Sequence, residues 1–115
     1  MTHHEFVRSA TALIRRSGAA EALVQIRRDR PGFDVQGRYH DTLAVFVVWA
    51  VDRLLAAGAT DAGVLWHPLT DALTPWAWYD GATLASCEAH DHFVASTSAL
   101  PGEPAPSEPQ VFAVV

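Results

Sequence analysis

Hydrophobic and polar positions alternate with different periods along the chain, and each period predicts a different element. "THHE" at 2 to 5 matches a capping box with Thr2 as N-cap. Phe6, Val7, Ala10, Leu13 and Ile14 then follow helical spacing, which predicts a first helix to about Arg16. Gly18 is placed to end it, and Arg15 and Arg16 suit the negative end of its dipole. In residues 20 to 28 both periods fit. Ala22, Val24 and Ile26 alternate like a strand, Leu23 and Ile26 also fit a helix, and the strand is the reading adopted, as the first arm of a hairpin. Pro31-Gly32 suits a type II turn, after which Phe33 and Val35 resume the alternation.

The longest apolar stretch, "DTLAVFVVWAVDRLLAAGA", predicts a helix from an N-cap at Asp41 to a C′ glycine at Gly58. Being apolar almost all round, it has to be buried on most sides. Its valines leave a strand within 43 to 51 as the lesser alternative. Beyond it, "AGVLWHPL" reads as a strand, and Asp80-Gly81 in "TPWAWYDGATLAS" as a two-residue hairpin turn whose second arm continues through "CEAHDHFVAST". That register places Trp76, Trp78, Thr83, Ala85, Cys87, Ala89, Asp91 and Phe93 on a core face, and Tyr79, Leu84, Ser86, Glu88, His90 and His92 on a solvated one. Residues 98–110 hold four prolines and read as an extended connection, and 111–115 as a terminal strand docking on the domain formed by 1–97.

The expectation is an α+β, two-layer fold: an antiparallel sheet packed on a long buried helix, with an N-terminal helix beside it. In element order this outline is similar to roadblock-like and other profilin-like domains, which are often dimeric interaction or ligand-sensing modules. The resemblance implies a homodimer that binds a small molecule or a protein.

Composition narrows the classes. At 115 residues, half of them hydrophobic and 18% charged, the chain suits one globular domain. The single cysteine, Cys87, excludes an internal disulfide and a cysteine-rich zinc module. No signal-peptide core opens the chain, and Asp52 and Arg53 interrupt the longest apolar run, so no membrane span and a cytoplasmic location are expected. A net charge of −5 argues against general nucleic-acid binding. Residues 1 to 38 nevertheless carry seven arginines against four acids, which makes Arg27, Arg28, Arg30 and Arg38 an anion-binding candidate.

"CEAHDHF" holds the densest candidate chemistry. On a strand, His90 and His92 would share a face with Cα atoms about 6.6 Å apart, close enough for two imidazoles to meet on one ion. A third ligand such as His67 would complete a catalytic zinc site. On regular structure the same residues are the polar side of a strand. Trp49, Trp66, Trp76, Trp78 and Tyr79, with Asp52, are the ligand-pocket candidates, since aromatics line small-molecule sites as well as cores. Together these features favour a small soluble binding or protein-interaction domain that is homodimeric and holds no cofactor. The alternative is a metal-dependent or histidine acid-base enzyme centred on residues 90–92, with a divalent metal such as zinc.

Overall fold

In the computed structural model, which describes residues 1–96 and 106–108, the chain is all-α: six helices and no strand among the described residues. Helix α1 (His3–Ser17) starts at the predicted capping box, where Thr2 Oγ1 accepts from Glu5 N and Glu5 Oε1 accepts from Thr2 N, each at 3.1 Å. Gly18, at φ 84°, closes α1 by donating to Ile14 O and is also the N-cap of α2 (Ala19–Asp29). A backbone at that φ is open to glycine and strained for other residues, so one residue suffices to turn the chain between two helices.

Helix α2 replaces the predicted first hairpin arm. Ala22, Leu23 and Ile26 are buried while Val24 is exposed, a one-sided helical stripe rather than an alternation. Pro31-Gly32 does not form the expected type II turn either, because Gly32 lacks the positive φ that turn requires. Asp34 organises the loop instead. Its Oδ1 accepts from Gln36 N at 2.9 Å and Arg38 N at 2.7 Å, while Arg38 O accepts from Phe33 N and Asp34 N. The loop crosses itself so tightly that a Cβ on Gly32 would lie 2.2 Å from Gly37 O.

Helix α3 (Asp41–Ala56) is the central element, as its pattern predicts, although its N-cap is His40 rather than Asp41. Gly58 follows its end at φ 90°, as expected of a C′ glycine. Ala44, Val45, Val47, Val48 and Val51 pack against Phe6, Val7, Ala10 and Ile14 of α1 and Ala22, Leu23 and Ile26 of α2. Phe46, Trp49 and Ala50 pack on the other side against Trp78, Tyr79 and Leu84. Burying a valine or phenylalanine contributes about 1.5 to 3 kcal/mol, against propensity costs of a few tenths per β-branched residue, so packing keeps this valine-rich stretch helical.

Short helices fill the place of the predicted sheet: α4 (Asp61–Leu65), 3-10 turns Pro68–Thr70 and Thr74–Ala77, α5 (Gly81–Ala85) and α6 (Cys87–Asp91). The α+β class and the profilin-like outline are therefore overturned. Polar caps explain the difference. Thr60, His67, Asp80 and Ser86 each accept a backbone N–H at the start of one of these segments. Asp80-Gly81 is thus a helix start, with Asp80 Oδ1 accepting from Thr83 N at 2.6 Å, and not a hairpin turn. The predicted faces dissolve with the strands. Trp78, Tyr79, Leu84, Ala89 and His90 are buried, whereas Trp76, Cys87 and Asp91 are exposed.

Hydrogen bonds tie the segment after α6 to the core. Thr42 Oγ1 donates to His92 O and accepts from Val94 N, Tyr79 Oη donates to Val94 O, and Ser96 Oγ donates to Trp78 O. Burial pushes the Tyr79 hydroxyl up to about 12, so it remains a donor at neutral pH. Of the predicted connection at 98–110, residues 106–108 are described: Pro106 is buried, and Glu108 pairs with Arg27 at 2.6 Å. The predicted strand at 111–115 lies outside the described residues. Among the described residues no helix is long and apolar enough to cross a membrane.

Candidate functional site

Where the 33–38 loop, the start of α3 and the α5–α6 corner meet, they border a partly open cavity of about 380 Å³. Apolar walls come from Phe33, Val35, Leu43, Val47, Trp76 and Leu84, and polar groups from His3, Asp34, Gln36, Arg38, His40 and His90. Phe33 fixes the loop's position. Its ring stacks on Phe6 of α1 with centroids 3.8 Å apart and planes within 5°.

His40 caps α3 through Nδ1, which accepts from Leu43 N at 3.2 Å, and its Nε2–H donates to Leu84 O at 2.7 Å. Neutral imidazole satisfies both contacts in a single tautomer. Burial holds the ring below the ordinary histidine value. The Leu84 carbonyl pulls the other way, and the adjacent His90 adds to the depression.

His90 reaches the cavity from α6, its ring centroid 4.2 Å from that of His40. Its Nδ1 donates to Ser86 O at 2.8 Å, and its Nε2 lies 3.2 Å from Asp34 Oδ2. The two side chains are 9% and 7% exposed, so this contact joins α6 to the 33–38 loop almost out of reach of water. Burial pushes the Asp34 carboxyl up. The hydrogen bonds from Arg38 N, Gln36 N and His90 outweigh it and hold the group below its ordinary value.

The structure separates the proposed metal ligands. His90 is buried against Asp34, His92 is exposed beyond the end of α6, and His67 is exposed with its Nδ1 capping a 3-10 turn. Among the described residues no three His, Cys, Asp or Glu side chains converge in a way that could hold a metal ion. A helix is the reason, since positions two apart on it point about 200° apart instead of sharing a face.

The arginines divide in the same way. Arg27 makes a bidentate pair with Asp41 at 3.0 and 2.8 Å, and Tyr39 Oη donates to the same carboxylate. The hydrogen bond to Asp41 raises the Arg27 pKa, and burial followed by the Asp41 bond raises that of Tyr39. Arg30 lies over the Tyr39 ring at 4.7 Å, Arg28 is exposed on α2, and Arg38 alone of the four lines the histidine cavity. A second cavity, also about 380 Å³, is bordered by Arg27, Arg30, Asp41, Asp91, His92, Phe93 and Glu108.

Of the aromatic candidates, Trp76 lines the first cavity, and Trp49, Trp78 and Tyr79 form core on the far side of α3. Trp66 is exposed with an edge contact to His4, and Asp52 is exposed on α3. Sequence reasoning missed Asp34, Phe33 and Leu84 as site residues. Asp34 does carry a local signal, since an aspartate before Gln36-Gly37 suits an Asx-type turn, but its partner His90 lies 56 positions away. No family model, curated protein or solved structure matches this chain.

Proposed function

We propose that this protein is a small-molecule binding domain without catalytic chemistry, its ligand seated in the cavity beside His40 and His90. The observation that carries this reading is the combination of a mostly apolar cavity with two buried histidines, His40 and His90, whose ring nitrogens are all occupied. Its volume of about 380 Å³ falls within the range of roughly 300 to 1,000 Å³ usual for ligand sites. A general acid or base needs a nitrogen facing the substrate, and all four ring nitrogens of His40 and His90 face protein atoms.

Ala85 is exposed and lines the cavity, so Ala85→Trp adds bulk there without disturbing the core. Titration with 1-anilinonaphthalene-8-sulfonate should give saturable 1:1 binding to the native protein, lost in Ala85→Trp while far-UV circular dichroism is unchanged. Absence of saturable binding to the native protein would sink the proposal.

A second reading, self-association, draws on the exposed Trp66, Leu73 and Trp76. Helix α3 offers no such surface, because α1, α2 and the Trp78 cluster already cover it. Sedimentation velocity of the native protein and of Trp66→Ser/Leu73→Ser tests this: a dimer that dissociates in the variant supports it, and a monomer at all concentrations rejects it.

A further inference from the structure

We infer that the ligand of the histidine cavity is a small apolar carboxylate whose head group pairs with Arg38. The inference rests on the binding reading above and deepens it to a ligand class. A ligand is recognised by the groups that the protein itself leaves unsatisfied, and here, among the described residues, those are His3 Nδ1, the Gln36 amide and the Arg38 guanidinium, of which Arg38 alone is charged at every physiological pH. His40 and His90 use both ring nitrogens within the protein. Asp34 uses Oδ1 on two backbone N–H groups and Oδ2 on His90.

The Arg38 guanidinium differs, since no acid among the described residues pairs with it. Arg27, by comparison, holds both Asp41 and Glu108. Arg38 is therefore the one permanent charge at the cavity that the described residues do not neutralise. A guanidinium presents a planar fork that matches a carboxylate with two parallel hydrogen bonds.

The walls decide the rest of the molecule. Leu43, Val47, Leu84 and Trp76 offer apolar surface, and Val35, 99% exposed beside Arg38 in the same loop, has no protein cover. An apolar body covering Val35 would gain burial while its head met Arg38. A cationic ligand would be repelled by the Arg38 charge, and a neutral one would leave the guanidinium unused.

Intrinsic tryptophan fluorescence, to which Trp76 at the cavity contributes, reports occupancy, with a Trp76→Phe control to assign the change, and the probes are octanoate, octan-1-ol, octylammonium and inorganic phosphate at low ionic strength. Octanoate should saturate the signal with at least tenfold higher affinity than octanol, while octylammonium and phosphate fail to bind. Arg38→Gln should lower octanoate affinity to that of octanol and leave octanol unchanged. Added salt should weaken octanoate alone. Equal binding of octanoate and octanol, both lost in Ala85→Trp, would overturn the carboxylate class and leave the cavity reading intact. Phosphate binding as tightly as octanoate would overturn the apolar part. If neither octanoate nor octanol bound, the inference and the reading beneath it would both fall.

Discussion

The Arg27–Asp41 pair gives an asymmetric prediction about what joins α2 to α3. The Asp41 side chain is 4% exposed and the Arg27 side chain 37%, so the two partners stand to lose different amounts when left alone. In Arg27→Met the buried carboxylate keeps only the Tyr39 hydroxyl. Removing one partner of a buried pair costs about 3 to 5 kcal/mol, and the partial exposure of Arg27 places this case at about 3. In Asp41→Asn the amide still accepts one hydrogen bond, and Arg27 retains Glu108 and water, so the loss is about 1 to 2 kcal/mol. Glu108→Gln, acting on a pair with both side chains more than a third exposed, should cost less than about 1 kcal/mol. Equilibrium urea unfolding followed by tryptophan fluorescence reads all three. With a slope of about 1.5 to 2 kcal/mol/M, Arg27→Met shifts the midpoint down by about 1.5 to 2 M. The double variant should lose clearly less than the sum of the single losses. Equal costs for Arg27→Met and Asp41→Asn, or a cost below about 1 kcal/mol for Arg27→Met, would show that burial of Asp41 does not govern this junction.

Four further expectations test the fold. Gly81 has no positive φ and open space around its Cα, so Gly81→Ala should be neutral or stabilise by up to about 1 kcal/mol, whereas a hairpin turn there would make it destabilising. Gly32→Ala drives a Cβ against the Gly37 carbonyl and should cost at least about 2 kcal/mol in the same urea assay; a neutral result would refute the loop crossing. The depressed His40 pKa means that the unfolded chain takes up a proton near pH 6.5 before the folded chain does. Stability should therefore fall as pH drops below 6.5, until the folded value is passed, and fall less steeply in His40→Asn, which keeps the cap; equal slopes would refute the assignment. Cys87, placed by the alternation pattern in the core, is exposed on α6 and should react with Ellman's reagent in native buffer as fast as in urea.

Signals carried within one turn of chain were legible. Thr2 and Glu5 close a box three residues apart, Gly18 and Gly58 stop helices beside them, and the apolar run from Asp41 has to be buried whatever surrounds it. The same local chemistry was present in the second half and was misread, because alternating tryptophans and alanines suit a strand as well as a chain of single-turn helices. Asp80 and Ser86 as N-caps decide between them, each taking a backbone N–H three residues ahead. The site was less legible still. Leu84 O and His40 meet across 44 positions, and Asp34 and His90 across 56.

By itself, then, the sequence determined the elements whose stop signals and periodicity are local: the capped first helix and the buried central one. Which faces meet is a different matter, because a histidine on a five-residue helix has no preferred partner until tertiary packing brings one within hydrogen-bond reach. Only the tertiary structure decided that α1 and α2, rather than a sheet, cover α3, that Arg27 is occupied by Asp41 while Arg38 lines a cavity, and that His90 turns away from His92 toward Asp34. Apolar burial is non-directional and accepts any covering surface, so the pattern of hydrophobic residues states that α3 must be covered and leaves open by what.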